Sequence, residues 1–329
     1  MMVDFRYHLV SLVAVFLALA CGIVLGAGPL REAIGDTVSG RNAQLTAQNA
    51  QLSAERDAAV ADQQAADAAL DAAGAGLLAG TLPGYRVAVV ALGTVDAGVV
   101  KAVDTRLTQA GAQVVSHVTL AGAWTDPAVR SFRQSLVGYL LTYLDPAPPV
   151  GAAAEAELAQ ALVEGLTGAD PANPDAPSEN AATLLQLLST GDTPLVTLAA
   201  PATAPADLVV LLAPTSSSAT ASASPTTAAP GGGDQAAAGL TLLQAAQTGS
   251  KGAVLAEAAG GPGPVVSAVL AASNADTLST VSGAGGVVGQ VGVPLALAQR
   301  LGGTAGHYGT GTGLTPLPPR TVAAAPSRG

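Results

Sequence analysis

Cysteine, methionine, aromatic residues and positive charge are all scarce in this 329-residue chain. A single cysteine, Cys21, excludes a disulfide framework within one molecule. The chain has 13 Lys and Arg residues against 23 Asp and Glu, giving a net charge of −10 without any basic stripe, so nucleic acid is not an expected partner. Because aromatic residues make up only 3% of the chain, we expect a core of Ala, Val and Leu.

Catalytic signatures are missing as well. The chain contains no GxSxG elbow, no HExxH motif and no Walker A loop. The turn at residues 92–96 carries one glycine, Gly93, whereas a dinucleotide fingerprint requires three. We therefore predict a protein that is not an enzyme and has no certain cofactor; an exported enzyme with an unrecognised site is a third alternative to the two functions given below.

Residues 9–28 form an uncharged apolar run of twenty residues, long enough as a helix to cross a bilayer. We predict a single-pass anchor within residues 1–30, with the N-terminus inside and the rest of the chain outside the cytoplasm. Two alternatives stay open: a signal peptide cleaved after residues 18–20, and a lipoprotein signal with Cys21 as the lipidated residue.

Residues 35–73 show a seven-residue repeat that is typical of a coiled-coil stalk. One seam recurs at seven-residue intervals through Val38, Leu45, Leu52, Ala59, Ala66 and Ala73. Asn42 and Asn49 occupy two successive a positions of the other seam, where Asn sets register and favours dimers. We predict self-association or binding of a partner helix; a lone exposed helix is the alternative, because half of the seam is Ala or polar. The expected interface consists of Val38, Leu45, Asn49 and Leu52.

Residues 84–313 alternate between short apolar runs and helical segments. This pattern predicts an α/β domain with an open, mainly parallel, doubly wound sheet. Strands are expected over residues 85–92, 113–120, 207–213 and 252–257. Helices are expected over residues 96–110, 129–144, 152–166, 181–189, 236–248, 265–272 and 291–301. Thr94 or Asp96 is expected to cap the first of these helices.

The remaining segments of the chain are rich in Pro, Gly, Ser or Asp. We expect a hinge over residues 74–84, a loop over residues 169–177, a disordered low-complexity loop over residues 214–234 and an extended Pro-rich tail over residues 314–329. Gly283, Gly285, Gly286 and Gly289 precede a predicted helix. They suit either a turn or an anion cradle, and the turn is favoured because no Lys or Arg occurs between Lys251 and Arg300.

Two of the three histidines fall in this domain and are the candidate metal ligands. His117 lies within the second predicted strand, and His307 is flanked by Gly306 and the Tyr308-Gly309 pair. Copper sites use Cys, Met or several His. The chain offers few of these, so its residues alone do not predict a tight copper site within one subunit, and both histidines are weak candidates.

The N-terminal stretch MVDFRYHLVSLVAVFLALACGIVLGAGPL, with the coiled-coil segment after it, resembles the MctB family of actinobacterial copper transport proteins. The resemblance continues in the same order through YRVAVVAL, AGAQVV, SNADTLSTVSG, GVPLALAQRLGGTAGHYGTG and the Pro-rich tail. The segments RYHLVSLVAVFLALA and GHYG are its most specific parts.

The resemblance implies a role in copper homeostasis or copper transport in the cell envelope, with copper as a possible ligand. Members of the family are also described as outer-membrane channel proteins. Other actinobacterial members are linked to envelope assembly and division, where the coiled coil engages a peptidoglycan-hydrolase partner. Copper homeostasis is therefore our first hypothesis, and a non-catalytic scaffold or regulator of cell-wall hydrolases is the alternative.

Overall fold

The computed structural model describes residues 4–27, 29–215 and 232–326. The chain divides into two compact units, Met1–Ala66 and Asp67–Gly329. Helix α1 (Asp4–Ala27) lies in the first unit, and its segment Tyr7–Val24 is long and apolar enough to cross a membrane, with none of its residues buried. The structure thus has a helix at the predicted N-terminal span.

Helix α2 (Pro29–Leu78) continues through most of the first unit and ends in the second. Pro29 at its first position suits a helix start, and no further proline occurs before Pro83. The helix stops before Gly80, whose φ of +71° is a left-handed conformation that glycine adopts without strain. The predicted hinge at residues 74–84 therefore overlaps the last turn of α2, which extends to the fully buried Leu78.

The second unit is built on a seven-stranded sheet. Its strands are β1 (Arg86–Ala91), β2 (Gln113–Leu120), β5 (Val196–Leu198), β6 (Leu208–Ala213), β7 (Gly252–Glu257), β8 (Thr280–Ser282) and β9 (His307–Tyr308). They lie in the order β5-β2-β1-β6-β7-β8-β9, and every neighbouring pair is parallel except β2 and β5. The predicted open, mainly parallel sheet is confirmed.

Helices cover both faces of this sheet, as a doubly wound fold requires. They are α3 (Ala97–Gln109), α4 (Arg130–Leu140), α5 (Ala154–Thr167), α6 (Glu179–Ser189), α7 (Gly232–Gly249), α8 (Pro264–Leu270) and α9 (Val287–Leu301). One face packs against α3, α9 and the last turns of α2, and the other against α4 to α8. Both cores consist mainly of Ala, Val and Leu, as the composition predicts.

Some connecting segments differ from the prediction. Residues 169–177, expected to be a loop, form a separate antiparallel hairpin of β3 (Ala169–Asp170) and β4 (Asn173–Pro177). The short strands β5, β8 and β9 were not predicted. Most of the low-complexity segment, residues 216–231, lies outside the described residues, so its expected disorder stays a prediction.

The C-terminal tail packs on the second unit beside the end of α2. Arg320 donates hydrogen bonds of 2.9 Å to the carbonyls of Leu77 and Ala79, which are at or just past the helix C-terminus. On the same helix Asp71 forms an ion pair with the buried Arg106 of α3. Carbonyl groups at a helix end lack partners within the helix, so Arg320 satisfies acceptors that the helix leaves open.

Candidate functional site

The sheet changes direction of winding between β1 and β6. The chain passes from β1 to β2 on one side, whereas β6 leads to β7, β8 and β9 on the other. Open α/β sheets bind ligands in the crevice outside the carboxyl ends of the strands at such a switch point. A cavity of about 280 Å³ lies there, lined by residues 92–94 after β1, residues 120–122 at the end of β2, and Gln235 and Ala238 of α7.

A second cavity of about 250 Å³ shares Trp124, Thr125 and Ala238 with the first and extends between α4, α5 and α7. We refer to the two cavities together as the Trp124 crevice. Trp124 is buried and is the only tryptophan in the chain. Four charged side chains also line the second cavity: Arg130, Arg133, Glu155 and Asp234. The crevice thus combines an aromatic surface with charges of both signs.

Arg133 fixes the segment that carries Trp124. Its Nη1 atom donates hydrogen bonds of 2.8 Å to the carbonyl of Ala123 and 2.7 Å to that of Asp126. Asp126 in turn accepts a hydrogen bond of 2.8 Å from the backbone amide of Ala128, which caps a short 3-10 turn. The position of Trp124 is therefore set by a buried guanidinium on α4.

His117 lies on β2 and pairs with Asp104 of α3. The Nε2 atom of His117 lies 2.9 Å from Oδ2 and 3.1 Å from Oδ1 of Asp104. The two side chains are 37% and 29% exposed, so solvent reaches both. An imidazole nitrogen and a carboxylate oxygen are both ligand types for divalent transition metals, although the pair supplies only two of the three or four ligands that protein sites use.

His307 lies on the edge strand β9, where its Nδ1 atom is 2.9 Å from the Oγ1 atom of Thr280 on β8. Burial lowers the pKa of His307 below its ordinary value of 6.5, and a hydrogen bond with the backbone of Ala275 acts in the opposite direction. A neutral imidazole is the form that binds a metal, but one of its nitrogens is already engaged by Thr280.

The fold does not bring the two candidate histidines together. Five strand spacings separate β2 from β9 in the sheet, which corresponds to about 24 Å. In addition, the two histidines lie on opposite faces of the sheet. His117 faces α3. Tyr308 packs in the core on that same face, so the preceding residue, His307, points to the other face. One copy of the chain therefore cannot use His117 and His307 for the same ion. Among the described residues, no group of three or more His, Cys, Asp or Glu side chains is placed to hold a metal.

The glycine-rich segment before α9 forms a tight turn, and Gly289 lies within α9 itself. The amides of Gly283, Ala284 and Gly285 donate to carbonyls of residues 257–259, and the amide of Gly286 donates to Gly283. Because these four amides are all used within the protein, they have no hydrogen left for an anion. The favoured interpretation as a turn is confirmed for residues 283–286.

The predicted interface residues lie on α2 in the first unit. Leu45 and Leu52 are 57% and 62% exposed, and Asn49 between them is also exposed. Val38 lies within the helix, but its side chain is outside the described part of the structure. One copy of the chain thus leaves Leu45, Asn49 and Leu52 uncovered. Their contact with a second helix stays a prediction.

The Trp124 crevice was missed in the sequence, although two signals mark it. Trp124 is the only tryptophan, and it follows a predicted strand within a few residues, where ligand sites of parallel sheets lie. Asp96, by contrast, was correctly predicted to cap the first helix: its Oδ1 atom accepts hydrogen bonds of 2.8 Å from Gly98 and 3.3 Å from Val99.

Comparison with curated proteins finds no match for the chain. Comparison with protein families gives a match over residues 2–319 to the family described as "Copper transport outer membrane protein, MctB". The match includes the apolar helix α1, helix α2 and the whole seven-stranded sheet. Since it extends over nearly the entire sequence, the chain belongs to the MctB family of copper transport outer membrane proteins.

Proposed function

We propose that this protein is a non-catalytic, membrane-anchored envelope protein that acts in copper homeostasis. The observation that carries the proposal is the family match over residues 2–319. Helix α1 would serve as the anchor, because no residue of Tyr7–Val24 is buried in the described chain and the segment is apolar enough for a bilayer. The unit Asp67–Gly329 would then lie outside the cytoplasm.

The pair of His117 and Asp104 is the best-placed group for direct contact with copper. It offers one nitrogen and one carboxylate at the surface, and nitrogen and oxygen donors suit Cu²⁺. With only two protein ligands, the pair would bind copper weakly and release it readily, which fits transfer or sensing better than storage. His307 is less suitable because its described hydrogen-bond partners are the hydroxyl of Thr280 and the backbone of Ala275, and neither supplies a carboxylate ligand.

The first experiment is growth of a deletion strain across a copper series. We expect loss of the gene to shift the copper concentration that halves growth, and the wild-type chain to restore it. The variant His117→Gln should fail to restore growth, whereas the matched control His307→Gln should restore it. Equal growth of the deletion and parent strains at every copper concentration would remove the proposal.

The second experiment is titration of the full chain in detergent with Cu²⁺, followed by the visible absorption of the metal. We expect one weak site per chain that is lost in His117→Gln and in Asp104→Asn but kept in His307→Gln. If the wild-type chain and His117→Gln bind copper equally, the His117 pair is not the site, and the role in copper homeostasis is indirect.

A second candidate function is a scaffold or regulator of cell-wall hydrolases that acts through α2. The exposure of Leu45 and Leu52, seven residues apart, supports it, because large aliphatic residues on one helix face are normally covered by another helix. The double variant Leu45→Lys, Leu52→Lys should abolish self-association or partner binding, as measured by cross-linking in the cell envelope.

Ala47 and Ala54 provide the matched control for this experiment. They are also seven residues apart on α2 but lie two positions after each leucine, on the outer side of a coiled coil. The variant Ala47→Lys, Ala54→Lys adds the same charge and should leave cross-linking unchanged. If the leucine variant cross-links as well as this control, the seam is not an interface.

A further inference from the structure

Three arginines of the second unit are buried: Arg86, Arg106 and Arg133. Arg86 is paired with Asp175, and Arg106 is paired with Asp71. Arg133 is only 4% exposed, yet it forms no ion pair with any described residue. A buried charge without an opposite charge is costly, so it marks a place where a negative group from outside the chain would be stabilised.

The free donors of Arg133 lie at the Trp124 crevice. A guanidinium has five N–H groups, and only Nη1 donates to described acceptors, the carbonyls of Ala123 and Asp126. The Nε and Nη2 atoms have no described acceptor. Both atoms keep some accessible surface, because neither is among the fully enclosed polar atoms that lack a partner. Since the side chain lines the cavity of about 250 Å³, these donors are available to a molecule within it. A carboxylate matches their planar geometry with two parallel hydrogen bonds.

The same cavity carries negative charge at its exposed edge. Glu155 is in the first turn of α5, and Asp234 is in the first turn of α7. Both are exposed, as is Arg130. No ion pair joins any of the four charged side chains of the cavity, so each acidic group is more than 4.0 Å from each guanidinium. The lining therefore contains separate positive and negative groups, with the apolar surface of Trp124 beside them.

We propose that the Trp124 crevice binds a small zwitterion, an amino acid or short peptide, with its carboxylate on Arg133 and its ammonium group toward Glu155 and Asp234. The apolar part of the ligand packs on Trp124. A simple anion is disfavoured because two carboxylates line the same cavity. A simple cation is disfavoured because it would leave Arg133 without an ion pair. This inference goes beyond the copper role and does not depend on it.

The chain supplies its own reporter for the test. Trp124 is the only tryptophan and lines both cavities, so its fluorescence responds to a ligand in the crevice without a label. The full chain in detergent, with a chelator present, is titrated with leucine and with alanyl-leucine. Two blocked forms of the dipeptide serve as matched probes: the acetylated form lacks the ammonium group, and the amide lacks the carboxylate.

We expect a saturable change in fluorescence with at least one of the two zwitterions. The amide should bind at least tenfold more weakly, because it loses the charge-assisted hydrogen bonds of Arg133. The acetylated form should bind about threefold more weakly, since the rim carboxylates are exposed and such pairs contribute little. No saturable change with either zwitterion up to about 10 mM, a weak affinity by the usual scale, would overturn the proposal. Equal binding of the amide and the free acid would also overturn it.

Variants of the chain complete the test. Glu155→Gln should weaken binding of alanyl-leucine about threefold and leave the acetylated form unchanged. Glu157→Gln removes the same charge from the first turn of α5 but lies outside the cavity lining, so it is the control and should bind normally. Arg133→Met should abolish binding of the free acid more than that of the amide. Arg133 also holds the Trp124 segment, so binding by Arg133→Met is interpreted only if this variant has the unfolding temperature of the wild type. If it does not, the binding measured for Glu155→Gln decides whether the proposal holds.

Discussion

Replacement of Leu78 by alanine tests whether the end of α2 belongs to the folded core. Leu78 is fully buried in the cluster that also contains Leu82, Val103 and Leu107. Truncation of a buried leucine to alanine costs the transfer energy of the lost atoms and the energy of the cavity that remains, so we expect unfolding of this unit to become easier by about 3 kcal/mol. For a unit of this size that corresponds to a fall in unfolding temperature of about 6–12 °C.

The assay is thermal unfolding of the full chain in detergent, followed by the fluorescence of Trp124. Because Trp124 lies in Asp67–Gly329 and no other tryptophan exists, the signal reports only that unit. Leu77→Ala, at a partly buried neighbour, should have a smaller effect, and Leu45→Ala, at an exposed position of the first unit, should have none. If Leu78→Ala unfolds within about 2 °C of the wild type, less than the shift for one kcal/mol, the end of α2 is not part of the core. Residues 74–84 would then be the hinge that their glycines suggest.

Three further predictions concern buried or half-buried charges. Asp71→Ala leaves the buried Arg106 without its carboxylate partner and should lower the free energy of unfolding by about 1–2 kcal/mol. The loss is smaller than for a fully buried pair because Asp71 is itself exposed. An unchanged midpoint of chemical denaturation would contradict this prediction. Burial raises the pKa of the Glu257 carboxyl above its ordinary value, so the folded state holds the carboxyl proton more tightly than the unfolded state does. The free energy of unfolding should therefore fall as pH rises from about 4.5 through the raised pKa. Glu257→Gln should lack this fall when denaturation is measured across pH, and an equal fall in both proteins would refute the prediction. Burial lowers the pKa of His307, so the free energy of unfolding should fall as pH falls from about 6.5 through the lowered pKa. His307→Asn should lack this fall. Nuclear magnetic resonance titration of the imidazole checks the direction of the pKa shift.

The sheet core could be predicted from the sequence because its central strands are buried on both faces. β1, β6 and β7 are buried along their whole length, so each reads as an apolar run and not as an alternating pattern, apart from Arg86 at the start of β1 and Glu257 at the end of β7. β2 and β7 were predicted with the residue bounds that the structure shows, and β1 and β6 within one residue of theirs. The sequence therefore contained enough information to predict the parallel α/β class.

The short edge strands could not be predicted in the same way. β5 and β8 have three residues each, and β9 has two, which is too short for any periodicity to appear. Their conformation depends on the neighbour with which they pair: Thr280 of β8 pairs with His307, and Val196 of β5 pairs with Leu120. These pairings join distant parts of the chain, and no local pattern of residues encodes them.

The Trp124 crevice escaped prediction for a different physical reason. Binary patterning assigns arginine to the solvent side of a helix, but on α4 the buried side carries Arg133 between Ala123 and Asp126. Its position is stabilised by backbone carbonyls of a short turn, and a turn of this kind has no apolar periodicity. The opposite charges come from α5 and α7, so the site exists only after three separate segments have packed together.

The two candidate functions depend on different units of the chain, which makes them separable. The proposed direct contact with copper uses ligands in Asp67–Gly329, where His117 and His307 lie about 24 Å apart by strand spacing and cannot share an ion within one copy. The scaffold role needs the exposed leucines of α2, which lie in Met1–Ala66. A change at His117 leaves the α2 seam intact, and lysines at Leu45 and Leu52 leave the His117 pair intact. Copper sensitivity and cross-linking, measured on both sets of variants, therefore distinguish one function from the other. If the α2 variant alters both, copper handling requires the associated form of the protein.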